Sequence, residues 1–256
     1  MFAVVFCAHG YGLYMGNPYL PEYPEQGMFL SKDFPIGVKA GYQGVLVYER
    51  RLKLRGSSIS TIPKRENLKY YQNLAMVSMS LYDRVELYTG LGASQFFQES
   101  PVDFSILHTM SHDNFVWEAG GRVLLIFWKS TAFGASAGYQ RASPNMAWTT
   151  VDEAPGTTSN SKLSYSQWQV ALSLSHKLGV ISPYIGGAYS YVKYKVKTPI
   201  FTDLLGENNS SKTYENKQKI SLVVGASLTA TEVINLDIEA KTFGEKSLTV
   251  MGCIRF

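Results

Sequence analysis

The last eleven residues of the chain alternate in character without a break. In the stretch Lys246 to Phe256, Leu248, Val250, Gly252, Ile254 and Phe256 fall on one face of an extended chain, and Thr249, Met251, Cys253 and Arg255 on the other. An apolar outer row, a more polar inner row and an aromatic carboxyl terminus are what a membrane-spanning β-barrel needs of its closing strand. A half-buried strand of a soluble sandwich alternates too, so the reading depends on recurrence.

The pattern recurs from Phe34 onward, in runs near the ~9–11 residues that cross a bilayer as a tilted strand. Nine further strands are predicted: Ile36–Arg51, Leu68–Tyr82, Val85–Phe97, Phe115–Trp128, Thr131–Arg141, Leu163–His176, Val180–Val196, Lys217–Leu228 and Val233–Phe243. The phase of Val180–Val196 is ambiguous, because tyrosines stand on both of its faces. The expected fold is all-β: a single antiparallel transmembrane β-barrel of about ten strands, with eight to twelve compatible. It occupies residues 34–256, after a signal-like segment at 1–16 and a proline-rich segment at 17–33.

The connections sort by length. Asp83-Arg84, Lys129-Ser130, Leu178-Gly179 and the stretch around Ala230-Thr231-Glu232 read as tight turns. Leu52–Asn67, Gln98–Asn114, Ala142–Lys162 and Lys197–Asn216 read as long polar loops on the opposite side. Outer-membrane barrels have short periplasmic turns and long external loops, whereas a sandwich has no reason to sort them. Prolines agree, since Pro63, Pro101, Pro144, Pro155 and Pro199 fall in the long connections; Pro183 alone sits in a strand, as a candidate bulge. Aromatics gather toward both strand ends. Tyr70, Tyr71, Phe96, Phe97, Tyr139, Tyr165, Tyr191 and Tyr194 are placed at the loop ends, and Tyr82, Phe127, Trp128 and Phe256 at the turn ends, as two interfacial girdles.

Mean hydropathy of −0.07 is that of a soluble protein, which a barrel matches because every second strand residue faces inward. No apolar run reaches the ~18 residues of a spanning helix. The net charge of +4 is dispersed, which argues against nucleic-acid binding. Two cysteines do not make a disulfide scaffold.

The inward face of these strands carries Lys39, Arg122, Lys219, Lys241 and Arg255 against Glu49, Glu86, Glu118, Asp237 and Glu239. These ten are the candidate pore-lining residues. They read either as a charged constriction that filters small solutes or as an ion-pair network that plugs the barrel. Ten strands stand well below the ~16–18 of an open aqueous porin, so both readings stay open. A loop bearing His108 and His112 beside Asp103 and Asp113 is the one candidate for metal or hydrolytic chemistry. His-x-x-x-His brings two imidazoles together on a helix, which a loop does not supply. No catalytic residue, metal site or cofactor is assigned.

Three stretches carry a family resemblance. Tyr165 to Leu178, with its Trp-Gln-Val, runs through a short turn into Pro183-Tyr-Ile-Gly186. Gly41 to Leu52 and Tyr82 to Ser94 are the other two, and the Arg-Phe ending fits as well. Together they resemble the chlamydial major outer membrane protein family. The resemblance implies a bacterial outer-membrane location and porin-like passive diffusion of small solutes. The alternative is a plugged structural or adhesive barrel acting through its loops. The expected partners are outer-membrane lipid, small hydrophilic solutes or ions, and the barrel assembly machinery through the strand ending at Phe256. A homo-oligomer is compatible.

Overall fold

A computed structural model of the chain describes residues 13–22, 35–55, 65–102, 105–151, 154–155, 162–197, 211–231 and 233–256. Cys7, Pro24, Pro63, Asp103, Pro199 and residues 1–12 of the signal-like segment lie outside the described residues.

All the described regular structure is strand. In chain order the strands are β1 (Ile36–Leu54), β2 (Arg65–Leu81), β3 (Val85–Val102), β4 (Ser105–Ser111), β5 (Asn114–Trp128), β6 (Thr131–Ala142) and β7 (Met146–Val151). They continue as β8 (Ala154–Pro155), β9 (Lys162–His176), β10 (Ile181–Lys197), β11 (Lys212–Asn216), β12 (Ile220–Thr231), β13 (Ile234–Thr242) and β14 (Lys246–Arg255). All pair antiparallel with their neighbours, and β14 returns to β1 from Lys39↔Arg255 to Glu49↔Lys246, which closes the sheet. The barrel has ten staves, because β4 with β5, β6 with β7, and β11 with β12 each act as one interrupted stave, and the two-residue β8 only folds back on β7. Closure removes the free sheet edges that lipid cannot hydrogen-bond.

Two expectations are corrected here. Gln98–Asn114, Ala142–Lys162 and Lys197–Asn216 are not loops throughout, since β4, β7, β8 and β11 lie within them. Their β-branched and aromatic residues, such as Ile106, Trp148, Thr149 and Thr150, extend the wall past the predicted strand ends. Pro101 and Pro155 accordingly sit at strand ends rather than in loops. Pro183 marks no bulge either, as Ile181↔Leu228, Ser182↔Ser227 and Pro183↔Ala226 run in unbroken register.

The outer face is apolar and uncovered by protein. Val77, Leu87, Leu91, Leu172, Ile185 and Ile238 are each about half exposed, and comparable residues follow on the other staves. A band of that extent exceeds what a soluble monomer leaves in water, and lipid is its natural cover. The phase of β10 is resolved: Ile181, Ile185 and Tyr189 face out, whereas Tyr184, Ala188, Val192 and Tyr194 are buried inside.

Candidate functional site: the lumen

Among the described residues, inward side chains are buried along the length of the barrel, and the interior divides into two halves. On β9 the inward row runs Ser175, Ser173, Ala171, Gln169, Gln167, Tyr165, Leu163 from the turn end to the loop end. Small side chains thus line the turn half and large ones the loop half. Inward Ser182 and Gly186 on β10 and Ala132 and Gly134 on β6 repeat the small end.

The loop half fills itself. Tyr70, Phe96, Tyr165 and Tyr194 are at most 2% exposed and form one cluster with Leu52, Leu68 and Val192. Tyr70 stacks on Phe96 with centroids 4.9 Å apart, and Tyr165 meets Tyr70 edge-on at 5.2 Å. These four aromatics are corrected from the girdle to the core; Tyr71, Phe97, Tyr139 and Tyr191 remain on the outside. Alternation turns neighbours such as Tyr70 and Tyr71 to opposite faces, so proximity to a strand end did not settle which way either points. At the base of this layer lies Arg50, which donates to Tyr70, Tyr165 and Gln167 and pairs with Glu245.

Arg50 takes the place expected of Glu49. The β1–β14 register shifts between Val47 and Glu49, so an extra residue reverses the phase above that point. Glu49 therefore lies on the outer surface, bonded at 2.5 Å to both Arg51 and Lys246. Lys219 is also not in the lumen. It precedes β12 and lies over the outward Tyr191 ring, 5.3 Å from its centroid.

The other eight candidates do face inward, all at most 4% exposed. Glu86 pairs with Arg122 at 3.0 Å and Lys39 at 3.4 Å. Glu118, on the same inward face of β5 as Arg122, accepts from Gln43 at 3.2 Å. Asp237 accepts from Tyr184 at 2.8 Å and from Ser227. Lys241 lies 3.7 Å from Glu239 and 3.6 Å from Glu245. Arg255 reaches Asp83 in the first tight turn at 2.9 Å.

The remaining volume of the turn half is taken by the chain itself. Leu13, Tyr14, Met15, Asn17, Tyr19 and Leu20 are at most 1% exposed, enclosed by the barrel wall. Part of the signal-like stretch and part of the proline-rich segment therefore lie in the lumen. Asn17-Pro18-Tyr19-Leu20 is a turn, with Leu20 N donating to Asn17 O at 3.0 Å and Tyr19 N to the Asn17 side chain at 3.0 Å. Gly16 has φ of 77°, a left-handed conformation that leads into that turn. A void bounded by Lys39, Ser78, Tyr88 and Arg122 holds about 10 Å³, room for about one water.

His108 and His112 are not assembled into a site. His108 lies on β4 with Thr109 turned inward, and His112 follows the strand end, exposed. Four residues of strand separate them by roughly 13 Å. No group of three metal-ligating side chains occurs among the described residues.

Residues 122–202 match the family model described as Chlamydia major outer membrane protein. The major outer membrane porin, serovar B, of Chlamydia trachomatis is 22% identical over 245 residues, covering 64% of this chain and 62% of the relative. The major outer membrane porin of Chlamydophila psittaci is 22% identical over 251 residues with the same coverage. The chain thus spans less than two thirds of the length of these relatives. Among solved structures, the outer membrane protease OmpT of Escherichia coli aligns over 86% of this chain and 95% of its own, at 12% identity and a TM-score of 0.42. An outer-membrane channel of Pseudomonas putida aligns over 88% and 97%, at 10% identity and a TM-score of 0.43. The chain is thus similar to the chlamydial major outer membrane protein family over residues 122–202, and it is a β-barrel of the bacterial outer membrane.

Proposed function

We propose that the protein is a porin-like route for small hydrophilic solutes, closed in the packed conformation and selective through its inward charges. The observation that carries this reading is the cost of those charges. Lys39, Glu86, Glu118, Arg122, Asp237, Glu239, Lys241 and Arg255 are all buried, and Glu118 accepts only the Gln43 amide on one of its oxygens. Buried ion pairs are often no more stabilising than apolar residues of the same volume. An interior that never hydrates gains little from eight ionisable groups, whereas a lumen that opens to water uses them to favour some solutes over others. The porin names of the relatives support the same reading.

The second reading is a closed structural or adhesive barrel, favoured by the aromatic layer around Arg50 that seals the loop half. Single-channel recording of the refolded chain in a planar bilayer separates the two. The porin gives discrete openings, and Glu118→Gln or Arg122→Gln shifts the cation-to-anion permeability ratio. A silent bilayer across the voltage range rejects the porin. We assign no enzymatic activity. Insertion through the strand ending at Phe256, and assembly with further copies, belong to the same proposal.

A further inference from the structure

We infer that the turn half of the lumen is a binding site for a peptide segment, and that Leu13–Glu22 is its tethered, displaceable occupant. The wall addresses the main chain of the segment as well as its side chains. Glu239 receives both Met15 N, at 3.1 Å, and Gly16 N, at 2.9 Å. Two successive amides converging on one carboxylate form an anion-binding nest, which the left-handed Gly16 shapes. A side chain at position 16 would meet Leu20 at 2.6 Å and Arg122 at 2.7 Å. The carbonyls are matched by cations and an amide: Leu13 O by Lys241 and Gln169, Met15 O by Arg122, Leu20 O by Lys39, and Glu22 O by Arg255. Arg122 is also sandwiched between Tyr14 of the segment and Tyr88 of the wall, at 4.8 and 4.2 Å from the ring centroids.

The same wall residues that hold the segment are the charges assigned to solute selection, so the two occupants exclude each other. The segment is continuous with the wall in sequence but belongs to no strand, and its main-chain bonds to the wall run to side chains. Asn17 Nδ2 also donates to the main-chain Ser182 O at 2.8 Å, a side-chain contact outside the strand pairing. The segment can therefore leave without breaking the barrel ladder. Only the last step, that its exit precedes solute passage, rests on the porin reading.

Amide hydrogen exchange of the full-length chain in lipid vesicles tests this, with Glu239→Gln as the probe. Lys241 keeps Glu245 at 3.6 Å in that variant, so the wall retains a paired cation. Peptides covering Leu13–Glu22 are expected to exchange at least tenfold faster than those of β13 and β14, and roughly a further tenfold faster in Glu239→Gln, with the strands unchanged. Exchange of the segment only in step with β13 and β14, or at a rate indifferent to Glu239→Gln, overturns the inference. Independent exchange in a protein that never conducts upholds the plug and rejects the porin.

Discussion

Replacing Arg50 by Met tests whether the loop half is held by one buried cation. Arg50 is 1% exposed, and the variant removes its ion pair with Glu245 and its donors to Tyr70, Tyr165 and Gln167, the last at 2.8 Å. Stranding one partner of a buried pair costs about 3–5 kcal/mol. Glu245 keeps Lys241 at 3.6 Å and the Ser247 hydroxyl at 3.1 Å, which brings the expectation to the lower end, about 3 kcal/mol. Met refills most of the volume, so the cavity contribution is small. Adding Glu245→Gln removes the stranded charge and is expected to recover at least ~1.5 kcal/mol, the coupling of a direct pair. Urea unfolding in phospholipid vesicles, followed by tryptophan fluorescence, reads both values from the midpoint at constant slope. A single variant within ~0.5 kcal/mol of the parent, or an equal cost with and without Glu245, refutes the reasoning.

Two further substitutions probe the other surfaces by the same assay. Leu172→Arg places a charge on the lipid face, where a residue 52% exposed meets hydrocarbon, and is expected to cost about 2–4 kcal/mol in vesicles; an unchanged midpoint would mean that this face does not contact lipid. Lys246→Ala breaks the outer pair with Glu49, and the side chain is 61% exposed, so the loss should stay below ~1 kcal/mol and vanish in high salt. A larger, salt-independent loss would show that the pair is less solvated than its exposure indicates.

The staves were legible because alternation over ten crossings is a long-range signal that few other architectures imitate. Each predicted strand overlaps an observed one, and apolar residues such as Val77, Leu172 and Ile238 face outward as expected. Eight inward charges were legible for the same reason. Glu49 was not, because a single extra residue near Val47 reverses the phase and leaves no mark in composition. Tyr70, Phe96, Tyr165 and Tyr194 were misplaced because an aromatic near a strand end satisfies both a girdle and a core. The lumenal segment was missed because its side chains follow no period. Its local signs were the Gly16-Asn-Pro turn and, on the wall, the gradient in inward side-chain size along β9.

That gradient links strand number to function. Eight-stranded barrels are just filled by their own side chains, and each added pair of staves widens the interior. Ten staves therefore leave space that a packed membrane protein must occupy. Toward the loops the wall supplies Tyr70, Tyr165 and Tyr194 and needs nothing more. Toward the turns it supplies Ser175, Ala171, Ser182 and Gly186, too small to meet across the axis, and Leu13–Glu22 takes the remainder. The two halves also differ in how readily they can open. Exposing the aromatic layer wets apolar surface at roughly 25 cal/mol per Å². Withdrawing the segment wets Leu13, Met15 and Leu20 as well, but it also uncovers charges, for which hydration is favourable. The turn half is accordingly the side from which water enters this barrel first, and the layer around Arg50 is the barrier that then remains.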